Sequence, residues 1–240
     1  MQTDDTASGP IPSPSSISVA TDAVLLAPAE DALWTVLLCR GEAPFEGCWA
    51  LPGVLVGRTE TLEDAAARAL QTKAGLRGVY LEQLCTFGAP QRDPRSRTLS
   101  VAYVALLPFA RLEASHGEAS LAQLEVPWQG EGGGPVNARR GGQRLPLAFD
   151  HAEVLGVAVK RIRGKLEYTP IGFELLPPTF TLGDLQRVHE TVLGRALNKD
   201  SFRRKMLASG DLEPTGEQRT GVDHRPAMLY RRRKERTLNG

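Results

Sequence analysis

The amino-acid sequence predicts an α/β fold, a mixed sheet covered by helices, with a second and smaller module behind it. Three observations lead there. Short β-branched and apolar runs alternate with helix-patterned segments, glycines and prolines punctuate their boundaries, and the sign of the charge changes along the chain. The 240 residues carry a net charge of +1, yet there are 16 basic and 20 acidic residues up to Leu176 and 13 and 8 from Pro177 onward. A basic module behind an acidic one points to a polyanion met at the C-terminal end.

Composition excludes several classes. Cys39, Cys48 and Cys85 form neither a C-x-x-C pair nor an even framework, so no zinc site or disulfide scaffold is expected, and a reducing cytoplasm fits. No apolar run approaches the length of a membrane span. Asp4 and Asp5 ahead of "TASGPIPSPSS" are unlike a signal peptide, so a cytoplasmic location without membrane contact is expected.

In chain order, residues 1–17 are rich in Pro, Ser, Asp and Thr and are expected to form a disordered lead-in. "VATDAVLLAPA" and "ALWTVLLCR" read as two strands around Pro28 to Asp31, a hairpin-like pair. In "LPGVLVGRTETLEDAAARALQTKAGL", Leu51 to Leu76, a loop leads into a helix and out again. Leu62, Ala66 and Leu70 are spaced to pack that helix inward, and Glu60 is placed to pair with Arg68. "VYLEQLCTFG" and "TLSVAYVALLP" are two further strands.

From residue 111 to 145 the pattern is lost, and "GEGGGPVNARRGGQR" is too rich in glycine to pack. It reads as a flexible surface insertion with Arg139, Arg140 and Arg144 solvated. Asp150 then caps a helix with Val154, Leu155, Ala158 and Ile162 as its buried side and Gly164 as its stop. These elements place a first domain at 18–165 and a Pro-rich connector at 166–176. A C-terminal domain at 177–235 and a tail at 236–240 complete the chain.

Thr181 caps the next helix, in which Leu182, Leu185, Val188 and Val192 recur at helical spacing, and Gly194 ends it. Asn198 caps a second helix, "KDSFRRKMLAS", ended by Gly210. Two short helices around a tight turn, followed by a Gly-containing hairpin, have the layout of a winged helix-turn-helix. On a helical wheel Phe202 and Met206 share one side, Ser201, Arg204 and Lys205 lie opposite, and Arg203 is on the flank. A recognition helix needs this division, because its apolar side docks on its own domain while its basic side enters the major groove of double-stranded DNA. Arg204 and Lys205 are placed to read guanine edges, and Arg203 and Lys199 to hold phosphates. Arg219 and Arg225 sit on the expected wing, and Arg231 extends the positive surface. A solvated basic helix is the plainer alternative for the helical charges.

Leu51 to Leu76 resembles the Nudix box of hydrolases that split nucleoside diphosphates linked to another group. Glu60, Arg68, Leu70, Gly75 and Leu76 fall in its register, and "LPG" precedes them. Every departure falls on the chemistry: Val54 replaces a Gly, and Ala69, Thr72 and Lys73 replace the three Glu that bind metal. Those positions are i, i+3 and i+4, so one helix face would present three carboxylates to Mg²⁺. Here the ion meets a methyl, a hydroxyl and an ammonium, although it needs oxygen ligands. We therefore expect no catalytic residues, no metal and no enzymatic turnover, with the motif kept as a scaffold around a pocket that still binds.

The run from "FELLPPTFTLGDLQRVHETVLGRALNKDSFRRKMLASGDLEPTG" to "RPAMLY" is similar to the C-terminal module of the Nudix-related transcriptional regulators of NAD metabolism. The resemblance implies a Nudix-like α/β/α sandwich with a mixed sheet, followed by a winged helix. It also implies a homodimeric repressor on a DNA operator, with ADP-ribose or a related nucleotide as effector and no cofactor. "LCTFGAPQRDPRSRTLSVAYVAL" and "LPLAFDHAEVL" resemble a Nudix branch that handles ADP-ribose. Arg92, Asp93 and Arg95 suit diphosphate or ribose contacts, or form an ordinary charged turn in which Arg92 and Asp93 pair locally. Arg40 is a candidate phosphate contact. Trp49 is a candidate adenine-stacking face or a core residue. His151 closes a helix start, while His116, His189 and His224 are scattered and expected to be solvated. The alternative function is a hydrolase of the ADP-ribose pyrophosphatase type with an accessory C-terminal domain.

Overall fold

The computed structural model describes residues 16–115, 117–219 and 226–233. Most of the expected lead-in, His116, the wing tip with His224 and Arg225, and the tail lie outside the described residues. Strand β1 (Ser18–Ala29) and strand β2 (Ala32–Cys39) form an antiparallel hairpin turned by Glu30 and Asp31 at φ 48° and 59°. Two successive left-handed residues match the twist of the flanking strands. Two short strands follow, β3 (Trp49–Ala50) against β2 and β4 (Gly53–Leu55) against β1.

Helix α1 (Leu62–Ala74) starts at a capping box in which the Thr61 hydroxyl accepts the Asp64 N–H, and it ends at Gly75 with φ 67°. Strands β5 (Tyr80–Phe87) and β6 (Thr98–Leu106) are antiparallel to each other, while β6 runs parallel to β1. After a short helix α2 (Phe109–Glu113), strands β7 (Ala119–Glu125), β8 (Asn137–Arg140) and β9 (Gln143–Leu145) complete the sheet in the order β5-β6-β1-β2-β7-β8-β9.

The centre of this sheet is apolar on both faces, and the alternation of a strand decides what each face meets. Ala23, Leu25 and Ala27 pack with Leu70 and Ala74 of α1. Val24 and Leu26 share the opposite core with Val154, Leu155, Ala158 and Ile162 of helix α3 (His151–Tyr168). The product is a mixed sheet between helices, as the sequence predicts.

Three expectations fail. The segment from 111 to 145 is no flexible insertion, because it supplies α2, β7 and β8 to the fold. Its glycines permit close packing: a Cβ on Gly156 of α3 would lie 1.8 Å from the Gly134 carbonyl oxygen, so this stretch presses its backbone directly onto the helix. Arg139 and Arg144 are tied down there, Arg139 by Glu125 at 3.1 Å and Arg144 by Asn137 at 2.6 Å. Nor does Gly164 stop α3, which runs on through buried Leu166 to Tyr168 and takes up the start of the expected connector. Thr169 in extended conformation and Pro170 end it. Asp150 stands at the N-cap without a capping hydrogen bond, since its carboxylate is engaged elsewhere.

A 3₁₀ segment (Pro170–Leu175) leads into β10 (Phe180–Thr181), α4 (Leu182–Leu193), α5 (Lys199–Ala208), β11 (Leu212–Arg219) and β12 (Ala227–Arg232). The three strands pair in the order β10-β12-β11. Thr181 caps α4 with Asp184, Gly194 ends it at φ 68°, and the Asn198 side chain accepts the Ser201 N–H at the start of α5. Leu185, Val188 and Val192 of α4 and Phe202 of α5 share one core with Ile162 and Leu166 of α3. His189 is buried in this core and not solvated. Its Nδ1–H donates to the Leu185 carbonyl at 2.8 Å, its ring meets Phe202 at 5.0 Å, and burial lowers its pKa.

Arg163 fastens α3 to this module. Its Nε–H donates to the Val192 carbonyl in the last turn of α4 at 2.8 Å, and its Nη1 donates to the carbonyls of Gly130 (2.9 Å) and Trp128 (3.3 Å). The guanidinium lies 4.7 Å from the centre of the Trp128 ring. Burial lowers its pKa, and the negative end of the α4 dipole favours the charge that remains. Arg163→Met keeps the bulk and strands three carbonyls, so urea unfolding should show a loss of about 2–3 kcal/mol. A loss under about 0.5 kcal/mol, the range of ordinary surface changes, would contradict this role.

Candidate functional site

A cavity of about 450 Å³ opens where the start of β1, β4, the β5–β6 loop and the first residues of α3 converge. Its wall holds Asp22, Arg40, Arg92, Asp93, Arg95, Phe149 and His151. In the parallel pairing of β1 with β6 Asp22 stands opposite Ala102, and the hydroxyl of Ser100, two residues earlier on β6, donates to Asp22 Oδ2.

Behind the wall lies a buried charge network. Arg92 is 8% exposed and donates twice to Asp150, Nε at 2.9 Å and Nη2 at 2.7 Å, while Nη2 also reaches Asp22 at 3.3 Å. His151 Nδ1 accepts the Leu51 N–H at 3.0 Å, which places the ring proton on Nε2, 3.7 Å from Asp22 Oδ1. Burial raises the pKa of Asp22, but His151, Ser100 and Arg92 together outweigh it and hold the carboxyl below its ordinary value. The glycine of "LPG" makes room for this arrangement. Gly53 pairs with Asp22 across β4 and β1, and a Cβ there would stand 2.3 Å from Asp22 Oδ1.

Four of the five expected ligand contacts line the cavity, namely Arg40, Arg92, Asp93 and Arg95. Trp49 does not. It lies half-buried on β3 with Arg140 over its ring at 5.8 Å, and the aromatic residue in the cavity wall is Phe149. Local pairing in the 92–95 turn applies to Asp93, which accepts from Arg95 Nε at 3.0 Å and Nη2 at 2.7 Å. It does not apply to Arg92, whose partners lie far along the chain.

The Nudix-box face does not fit a metal. Ala69 is fully buried, the Thr72 hydroxyl donates to the Arg68 carbonyl at 2.8 Å, and Lys73 reaches Glu118 at 3.4 Å. Both nearby carboxylates are committed. Glu60 accepts from Arg68 and from the Gly57 N–H, and Glu63 accepts the Tyr103 hydroxyl at 3.1 Å. Among the described residues no group of three His, Cys, Asp or Glu side chains is arranged to hold a metal ion.

On the second helix of the C-terminal module, Phe202 is buried and Lys199, Ser201, Arg203, Arg204 and Lys205 are exposed. They are not equally placed. Ser201 and Lys205 border a recess against the end of α3, and Lys205 Nζ lies 3.4 Å from the Glu167 carbonyl. Arg219 pairs with Asp184 at 2.7 Å, and Arg231 pairs with Glu213 at 3.1 Å. Arg225 lies outside the described residues.

Fold and site together define a Nudix-type ligand-binding unit joined to a winged helix. The family model for the NUDIX domain matches residues 17–128, and that for the NrtR DNA-binding winged helix domain matches residues 172–232. The chain is 34% identical over 218 residues to the ADPR responsive transcriptional repressor NtrR of Acinetobacter baylyi, covering 89% of this chain and 81% of that one. The structure of Shewanella oneidensis NrtR complexed with a 27mer DNA superposes with a TM-score of 0.73 at 31% identity, over 90% of this chain and 93% of that one. A third likeness, 36% over 121 residues, is to the ADP-ribose pyrophosphatase of Methanocaldococcus jannaschii, spanning 50% of this chain and 62% of that enzyme. This chain belongs to the NrtR family of Nudix-related transcriptional regulators. No helix among the described residues is long and apolar enough to cross a membrane.

The depressed pKa of Asp22 has a pH signature. A carboxyl whose folded pKa lies below its unfolded value contributes stability in full above about pH 4, and that contribution is lost as pH falls through the folded pKa. Asp22→Asn should lower stability at pH 7 and flatten the acid limb of a stability–pH curve. An unchanged acid limb would show that Asp22 is not held ionised by its neighbours.

Proposed function

We propose that this protein is a DNA-binding transcriptional repressor of NAD-metabolism genes, controlled by ADP-ribose or a related nucleotide bound in the cavity. One observation carries the reading. His151 at the start of α3 lines the cavity, the N-cap Asp150 beside it is held by Arg92 of the cavity wall, and Arg163 further along the same helix holds α4. A single rigid element therefore joins a site lined by arginines to the helices that would meet DNA.

In this reading Arg40, whose charge meets no carboxylate among the described residues, is the main grip on the diphosphate, and Arg95, its Nε and Nη2 held by Asp93, supports it with the rest of its guanidinium. Arg92 and Asp93 complete the wall beside them. Arg203, Arg204 and Lys199 face the duplex most openly, with Ser201, Lys205, Arg219 and Arg231 flanking it. A two-fold dimer sets its recognition helices about 34 Å apart, one turn of DNA. The effector releases the operator only through different affinities for the two arrangements of the dimer.

The Nudix unit acts here as a sensor and not as a hydrolase. Likeness to an ADP-ribose pyrophosphatase supports a nucleotide ligand, while Ala69, Thr72 and Lys73 supply no carboxylate for Mg²⁺.

A gel-shift on DNA from upstream of the protein's own gene and of NAD-synthesis genes tests this function. A retarded band that ADP-ribose dissolves is expected, and Arg204→Ala should weaken binding by about 1–3 kcal/mol if the side chain reads a base. Failure to retard duplex DNA at low salt, together with Mg²⁺-dependent cleavage of ADP-ribose, would establish the hydrolase instead.

A further inference from the structure

Phe149 is a bulky residue at φ 52°, a left-handed conformation that such side chains adopt only where the surroundings enforce it. The enforcement is visible on both sides. The Ala148 N–H donates to the Trp49 carbonyl at 2.8 Å, the Trp49 N–H donates to the Pro146 carbonyl at 2.7 Å, and His151 is anchored by the Leu51 N–H. The ring is half-buried in the cavity wall.

Two aromatic rings pack on it, Phe45 at 4.8 Å and His151 at 5.3 Å, and two cations stand over it as well. The guanidinium carbons of Arg40 and Arg95 lie 4.8 Å and 5.6 Å from its centre. Arg40 donates only to the carbonyls of Pro44 (2.8 Å) and Glu42 (3.4 Å) among the described residues, so its charge meets no carboxylate and is ready for an anion. A diphosphate gripped by these two arginines places its attached nucleoside beside the ring, because the base stands one ribose away from the phosphates.

We propose that Phe149 is the base-stacking residue of the cavity and that it selects ligands bearing a planar heteroaromatic base over a bare diphosphate. This rests on the nucleotide reading of the cavity and names the residue that gives it specificity. The ring also keeps the two guanidiniums gathered by cation–π attraction until the ligand arrives.

Titration calorimetry with ADP-ribose and with inorganic pyrophosphate, on the full-length wild type, Phe149→Leu and Phe149→Trp, tests the assignment. Stacking predicts that the Leu variant loses about 10-fold or more in ADP-ribose affinity, within the range of base–aromatic stacks, and binds pyrophosphate as the wild type does. The Trp variant should keep its ADP-ribose affinity, and its added fluorescence should be quenched by ADP-ribose and not by pyrophosphate. Unchanged ADP-ribose binding in the Leu variant, or equal losses for both ligands, would overturn the proposal. If the Leu variant does not fold, the Trp variant decides, since full fluorescence with ADP-ribose bound overturns it equally. A wild type that ignores ADP-ribose would sink the nucleotide reading itself, a different result from a wild type that binds and a Leu variant that binds as well.

Discussion

One buried guanidinium ties the first turn of α3 to the centre of the sheet. Arg92 holds Asp150 with two hydrogen bonds and Asp22 with a third, and both carboxylates are themselves largely buried. Such a cluster is sensitive to any missing member, because a buried charge stripped of its partner costs about 3–5 kcal/mol. It therefore fixes α3 against β1 in one position as long as its members stay paired. Arg92, Arg95 and Arg40 all line the cavity, so under the proposed function any hydrogen bond that an anion drew from Arg92 would be taken from the start of the helix.

The other end of α3 is equally committed. Arg163 holds the last turn of α4, Lys165 pairs with Glu82 of β5 at 2.6 Å, and Lys205 of α5 approaches the Glu167 carbonyl. Ile162 and Leu166 belong to the same core as Leu185, Val188 and Phe202. Packed side chains and charge-assisted hydrogen bonds thus connect the helix that starts at the cavity to both helices of the helix-turn-helix. Such a contiguous element is one physical route by which two sites can be coupled. Ala69, Thr72 and Lys73 on the helix of the Nudix box carry no carboxylate, which agrees with the proposed role in binding and not in turnover.

Much of this was legible in the sequence where the signal is local. Strand alternation, the caps at Thr181 and Asn198 and the glycine at 194 specify their elements within a few residues, so the layers and the helix-turn-helix could be read directly. The segment from 111 to 145 was not legible, because its glycines look like disorder until Gly156 of α3 is set against Gly134. Arg92 could be singled out, but its partners lie 58 and 70 residues away and carry no local mark. Phe149 escaped notice because an aromatic in "LAFDH" reads as core, and only its backbone conformation and its two arginine neighbours distinguish it. His189 looked solvated because a lone histidine on an amphipathic helix gives no hint that Phe202 and Gly172 will enclose it.

Hydrogen exchange of the full chain with and without saturating ADP-ribose tests the coupling most directly. The account predicts altered protection at the cavity and also at the Arg163-held end of α4 and in α5, neither of which lines the cavity. Changes confined to the cavity wall, with α4 and α5 exchanging as in the free protein, would contradict it.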